Sequence, residues 1–187
     1  GIKSVDDYRQ TAGTTSVLSV FDIASRTLVV DGGVLTGGGT IIGDVANNAG
    51  IVAPGNSPGT LTIDGDYAQG AAATLLIEIA GFADFDVLAV SGSAQLGGEL
   101  AVSLAAGYLP GVGASFDILL ANDINGVFAN GQFVDAGRAV FEILYLDGLD
   151  GDIVRLTTVS AVPLPAGVWL LLGALGTLFA RARRRAC

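Results

Sequence analysis

Ala53-Pro54-Gly55-Asn56-Ser57-Pro58-Gly59-Thr60-Leu61-Thr62-Ile63 is the stretch on which the fold turns. Its two prolines have no N–H to offer a ladder, so they belong at a corner between strands. Gly55 and Gly59 permit a tight reversal, and Thr60–Ile63 re-enters a sheet. The same grammar continues outward in both directions. Thr14–Val20, Thr27–Val30, Val34–Thr36, Thr40–Ile42 and Ile51–Ala53 precede or open the corner, and Leu75–Ile79, Val87–Val90 and Leu100–Val102 follow it. Glycine, asparagine and aspartate separate these runs, whose starts lie roughly 10–13 residues apart. No window before residue 160 shows the 3.6-residue periodicity of a helix, which predicts an all-β body. Within Leu76-Ile77-Glu78-Ile79, Glu78 must face outward if Ile77 and Ile79 face in, because successive side chains alternate.

Two architectures fit this spacing. Antiparallel sandwiches place a turn every 8–12 residues or so. A parallel β-solenoid stacks coils of about 20 residues or more, each made of very short strands with Gly and Asn at the corners. Runs of three or four apolar residues interrupted by Gly37–Gly39 favour the solenoid, and Asn47, Asn48 and Asn56 suit corners that need left-handed backbone. Ala139–Leu146 and Asp152–Thr158, on either side of Asp147-Gly148-Leu149-Asp150-Gly151-Asp152, are predicted as a hairpin that caps the stack and covers its strand edge. Thr157–Ala161 is expected to serve as a linker.

The PGNSPGTLT word resembles the repeat of autotransporter passenger domains and their solenoid relatives. Gly65-Asp66-Tyr67, Asp84–Val90, Ala94–Leu100 and Ser115–Leu119 extend the resemblance over roughly residues 30–128. It implies a parallel β-helix with right-handed coiling. No long alternating barrel region follows, so self-export through a C-terminal barrel is not expected.

The end of the chain is of another kind. Val162–Cys187, VPLPAGVWLLLGALGTLFARARRRAC, combines a proline hinge, an uncharged apolar run from Ala166 to Ala180, and a tail with Arg181, Arg183, Arg184 and Arg185. Spanning a bilayer takes about 20 apolar residues, a length reached by counting from Ala161 and letting the arginine stems snorkel. A buried core helix rarely ends in such a cationic block, so one short transmembrane helix is predicted, with Trp169 at the interface. The arginines place the tail in the cytoplasm and the body outside. All 18 acidic residues precede Ser160, beside only Lys3, Arg9, Arg26, Arg138 and Arg155 as basic ones, so the exported body is strongly acidic.

Val162-Pro163-Leu164-Pro165-Ala166, followed by an apolar helix and terminal arginines, resembles the VPLPA-CTERM variant of the PEP-CTERM bacterial sorting signals. That resemblance is confined to Val162–Cys187. It implies recognition and processing by an exosortase-type membrane protease in an exopolysaccharide-producing Gram-negative bacterium. The chain thus divides into a polar and β segment at 1–29, a solenoid-like extracytoplasmic body at 30–160, and a sorting signal at 161–187. It contains no methionine, so an export signal is expected upstream of Gly1.

Composition narrows the chemistry. There is no histidine, which removes Ser-His-Asp and Cys-His nucleophiles and nearly all catalytic zinc sites. Cys187 is the only cysteine, so the body has no disulfide. Gly37–Gly39 lacks a following Gly-Lys-Ser/Thr and opens no helix, so it is no phosphate loop. An acidic body makes nucleic acid an improbable partner. Asp147, Asp150 and Asp152 invite a calcium reading but lack EF-hand spacing, and Asp-Gly is ordinary turn chemistry. The pairs Asp64/Asp66 and Asp84/Asp86 could set two carboxylates on one strand face for acid–base work on sugars, though solvated turn aspartates are the commoner arrangement. The expectation is an exported structural or adhesive protein of the cell surface or matrix, tethered to the inner membrane and then processed. No catalytic residue, metal or cofactor is expected, and the foreseen partners are the exosortase, the membrane, and exopolysaccharide or surface glycans. The alternative is a carbohydrate-active β-helix enzyme using paired carboxylates.

Overall fold

The computed structural model describes residues 8–56 and 58–162. Pro163, Leu164, Pro165, Ala166, Trp169, Arg181, Arg183, Arg184 and Arg185 lie outside the described residues, and with them the predicted transmembrane helix. The described residues form an all-β structure. No helix among them is long and apolar enough to cross a membrane.

The chain alternates between two sheets. The larger holds β1 (Tyr8–Gln10), β3 (Val20–Val30), β5 (Thr40–Asn47), β7 (Thr60–Asp64), β8 (Tyr67–Gln69), β11 (Val87–Val90), β12 (Ser93–Leu96), β14 (Ser115–Ala121) and β15 (Asp123–Gly126). It is curled like half a barrel. The smaller holds β2 (Thr14–Ser16), β4 (Val34–Gly37), β6 (Ile51–Pro54), β9 (Thr74–Gly81), β10 (Asp84–Phe85) and β13 (Glu99–Leu104). Every pairing among these strands is parallel, apart from the β9–β10 hairpin.

Partners in the ladder are one circuit of the chain apart, and from β4 onward the circuit grows. Val34 pairs with Ile51, Thr40 with Thr62, Thr60 with Val87 and Leu88 with Leu119, each partner lying further along the chain than in the pair before. The growth falls largely on the return from the smaller sheet to the larger, which is Gly38-Gly39 after β4 but residues 105–114 after β13.

Alternation does the packing. Throughout β5, and in β9 as far as Ile79, every second residue is buried, and Glu78 is on the outward set while Ile77 and Ile79 are fully enclosed. Parallel register then stacks like on like. Leu35, Val52, Leu75 and Leu100 form one column, and Leu61, Leu88 and Leu119 another. Each of these side chains is wholly buried, which contributes about 1.5–3 kcal/mol per residue relative to exposure.

The parallel order stops at β14. Against it runs β18 (Asp152–Ala161), then β17 (Ala139–Leu146) and β16 (Phe133–Asp135), all antiparallel. The expected hairpin is therefore present, with one correction. Thr157–Ala161 is no linker: it continues β18, pairing Ser160 with Val140 and Ala161 with Ala139. Phe116 packs edge-on to Phe141 at 6.1 Å and to Phe85 at 5.3 Å, which joins the hairpin to the stack.

Candidate functional site

Of the aspartates singled out from sequence, Asp66, Asp86 and Asp152 accept backbone N–H groups, and Asp44, which the sequence reading passed over, does the same. Asp44 Oδ1 accepts the Asp66 N–H at 2.9 Å, one coil on. Asp66 Oδ1 in turn accepts the Ser93 N–H at 2.7 Å and its hydroxyl at 3.1 Å. Asp64 accepts the Ser91 hydroxyl at 2.9 Å. This corner is a true repeat, Gly43-Asp44-Val45-Ala46-Asn47 over Gly65-Asp66-Tyr67-Ala68-Gln69 over Gly92-Ser93-Ala94. Its glycines are steric necessities, since a Cβ on Gly92 would fall 2.2 Å from Asp66 Oδ1.

Asp84 and Asp86 do not form an acid–base pair on one strand face. Asp84 is exposed at the β9–β10 hairpin, whereas Asp86 is 4% exposed and turned inward. Its two oxygens accept the Gly59 N–H at 2.9 Å and the Glu78 N–H at 2.8 Å. It thereby ties the PGNSPG corner to β9. Burial pushes its carboxyl above the usual range, against the lowering effect of those two donors, with small raising contributions from Glu78 and Asp84. Gly55, at φ +85°, lies so close that a Cβ there would sit 2.3 Å from Asp86 Oδ1.

The buried amides of Gln10 and Gln69 escaped the sequence reading, and Asn47, expected at a left-handed corner, is instead the last residue of the extended strand β5. Asn47 Oδ1 accepts the Gly50 N–H at 2.9 Å, and the role found for Asn47 is this side-chain bond. Gln69 Nε2 donates to the Gly97 and Glu99 carbonyls at 2.8 and 3.0 Å and its Oε1 accepts the Tyr67 hydroxyl at 2.8 Å. Gln10 donates to the carbonyls of Gly13 and Val34. Each amide closes the bend from the larger sheet into the smaller. Their signal was available in the sequence, because Asn47 and Gln69 are offset by the same interval as Asp44 and Asp66.

The remaining candidate, Asp147-Gly-Leu-Asp150-Gly-Asp152, carries no metal geometry. Among the described residues no three His, Cys, Asp or Glu side chains come together as a metal site. Asp152 instead accepts the N–H of Ile124 at 2.9 Å and of Gly148 at 3.3 Å, folding the turn over the sheet. That fold creates a groove of about 520 Å³ on the outer face of the larger sheet. Thr62, Ala89 and Leu120 form its floor, Gly148–Gly151 one wall, and Ser91 and Asn122 a polar margin. Of the sorting motif only Val162 is described; it is exposed, and its N–H donates to the Arg138 carbonyl at 2.8 Å.

No protein-family model matches the chain, and no curated protein matches it significantly.

Proposed function

We propose that this chain is an exported, non-enzymatic structural or adhesive protein of a bacterial surface or extracellular matrix. On this reading the body is a parallel β-solenoid with an antiparallel cap, and residues 162–187 are a sorting signal read by an exosortase-type membrane protease. The observation that carries the non-enzymatic part is the fate of the carboxylates. Asp44, Asp66, Asp86 and Asp152 each accept backbone N–H groups of another part of the stack, which is work for a scaffold. The parallel ladder with one-circuit offsets supports the solenoid reading. The VPLPA word, the apolar run and the terminal arginines support the sorting reading, with the tail cytoplasmic and the body outside.

In a host that carries an exosortase, the chain should reach the cell surface or medium with a mass reduced by loss of its C-terminal segment. Deletion of the exosortase, or replacement of Pro163 and Pro165 by alanine, should leave the unshortened chain in the inner-membrane fraction. Unchanged mass and location in both backgrounds would refute the sorting assignment.

A further inference from the structure

We propose that the groove between the outer face of the larger sheet and the 148–151 turn binds a neutral glycan. The inference deepens the surface reading above by naming the partner class and the place where it sits.

The floor is built by register. Thr62 pairs with Ala89, and Ala89 with Leu120, so three outward side chains of β7, β11 and β14 stand in a row along the stack. With strands about 4.8 Å apart the row covers about 10 Å, room for two pyranose rings. Leu120 is 38% exposed and Leu149, at the tip of the turn, is fully exposed. Together with Ala89 and Ile153 they offer aliphatic surface to the C–H face of a sugar ring.

Charge at the margin is one-sided, and the hydrogen-bonding groups lean toward acceptors. One N–H of the Asn122 amide is taken by the Ser91 carbonyl at 2.5 Å, and the Ser91 hydroxyl by Asp64 at 2.9 Å. What remains at the margin is the Asn122 Oδ1 and the carboxylate of Asp150 as acceptors, beside the second N–H of the Asn122 amide. Among the described residues no lysine or arginine lines the groove. Arg155, two residues along β18 from Ile153, is held by both oxygens of Asp117. Such a margin repels carboxylates, sulfates and phosphates and receives hydroxyl donors. A largely apolar floor beside uncharged hydrogen-bonding groups, with negative charge alone at the edge, matches an uncharged polyol ring.

The test uses the full chain and four probes: cellohexaose, maltohexaose, trigalacturonate and hexalysine, titrated by calorimetry or ligand-observed NMR. At least one neutral hexaose should bind, with a Kd of about a millimolar or tighter, and trigalacturonate should not. Leu120→Glu combined with Leu149→Ser should weaken that binding at least tenfold while circular dichroism stays unchanged. Ile51→Ser, on the outer face of the smaller sheet, should leave binding intact. Absence of neutral-hexaose binding, equal binding of trigalacturonate, tighter binding of hexalysine, or full retention in the double variant would each overturn the site. Binding is read on purified chain, so it stands or falls separately from localisation: a glycan-binding chain that never leaves the cytoplasm refutes the surface reading alone.

Discussion

Asp86 shows how one residue sets the conditions under which this body is stable. It is buried, it holds two backbone donors, and its carboxyl is raised chiefly by desolvation. A raised carboxyl favours the folded state while protonated and loses that contribution as pH climbs from the unfolded value through the folded one. Stability measured by urea unfolding should therefore fall, at this site, as pH rises above about 4. The difference between the parent and Asp86→Asn should show this slope, and a flat difference from pH 3 to 7 would contradict it. Asp31 works in the opposite sense. Its bonds from Asn48 and Arg9 lower its carboxyl, so its contribution is lost only as pH falls. Asp86→Ala should cost about 1–3 kcal/mol for each N–H left without an acceptor. None of this was legible from composition, because Asp84 and Asp86 look equivalent in sequence. Only the β9–β10 hairpin, with its irregular register, turns one outward and the other in.

At the level of elements, the strands were legible and their partners less so. Short apolar runs with glycine between them located β4, β6, β7, β9, β11 and β13 and the first half of β5, because alternation and turn residues act locally, whereas β8, β10 and β12, short and with few apolar residues, were not picked out as strands. The regular spacing between run starts proved to be half a circuit, one strand in each sheet. The lengthening circuit was not legible, since nothing local says that residues 105–114 lead back to the strand that began at Val87. Edges were the least visible. Among the described residues no strand lies on the outer edge of β13 beside Leu100; the Asn130 amide takes that place, accepting the Leu100 N–H at 2.8 Å and donating to its carbonyl at 3.0 Å. Arg138 finishes the edge by donating to the carbonyls of Ala105 and Tyr108. Asn130→Ala should therefore destabilise by about 1–3 kcal/mol and speed hydrogen exchange at Leu100. Asn130→Asp, which keeps the acceptor and loses the donor, should fall between. Equal exchange at Leu100 in all three proteins would show that the amide is incidental.

For the whole molecule, charge is the dominant long-range term. Asp44, Asp64, Asp66 and Asp123 stand at neighbouring corners of successive coils, and the cations that answer them are few. Like charges one coil apart repel, and salt screens them over about 10 Å at 0.1 M. Thermal stability should rise between about 10 and 200 mM sodium chloride, and a fall or a flat response would mean that attractive pairs such as Arg155–Asp117 outweigh the ridge. Because ladder register survives while the return turn expands from Gly38-Gly39 to residues 105–114, the turns on that side act as an expansion joint. Sequence inserted there is extruded sideways and leaves the stacked columns untouched. The exposed Phe82-Ala83 tip between β9 and β10 is thus a natural grafting point, where a foreign epitope could be displayed on an unaltered scaffold.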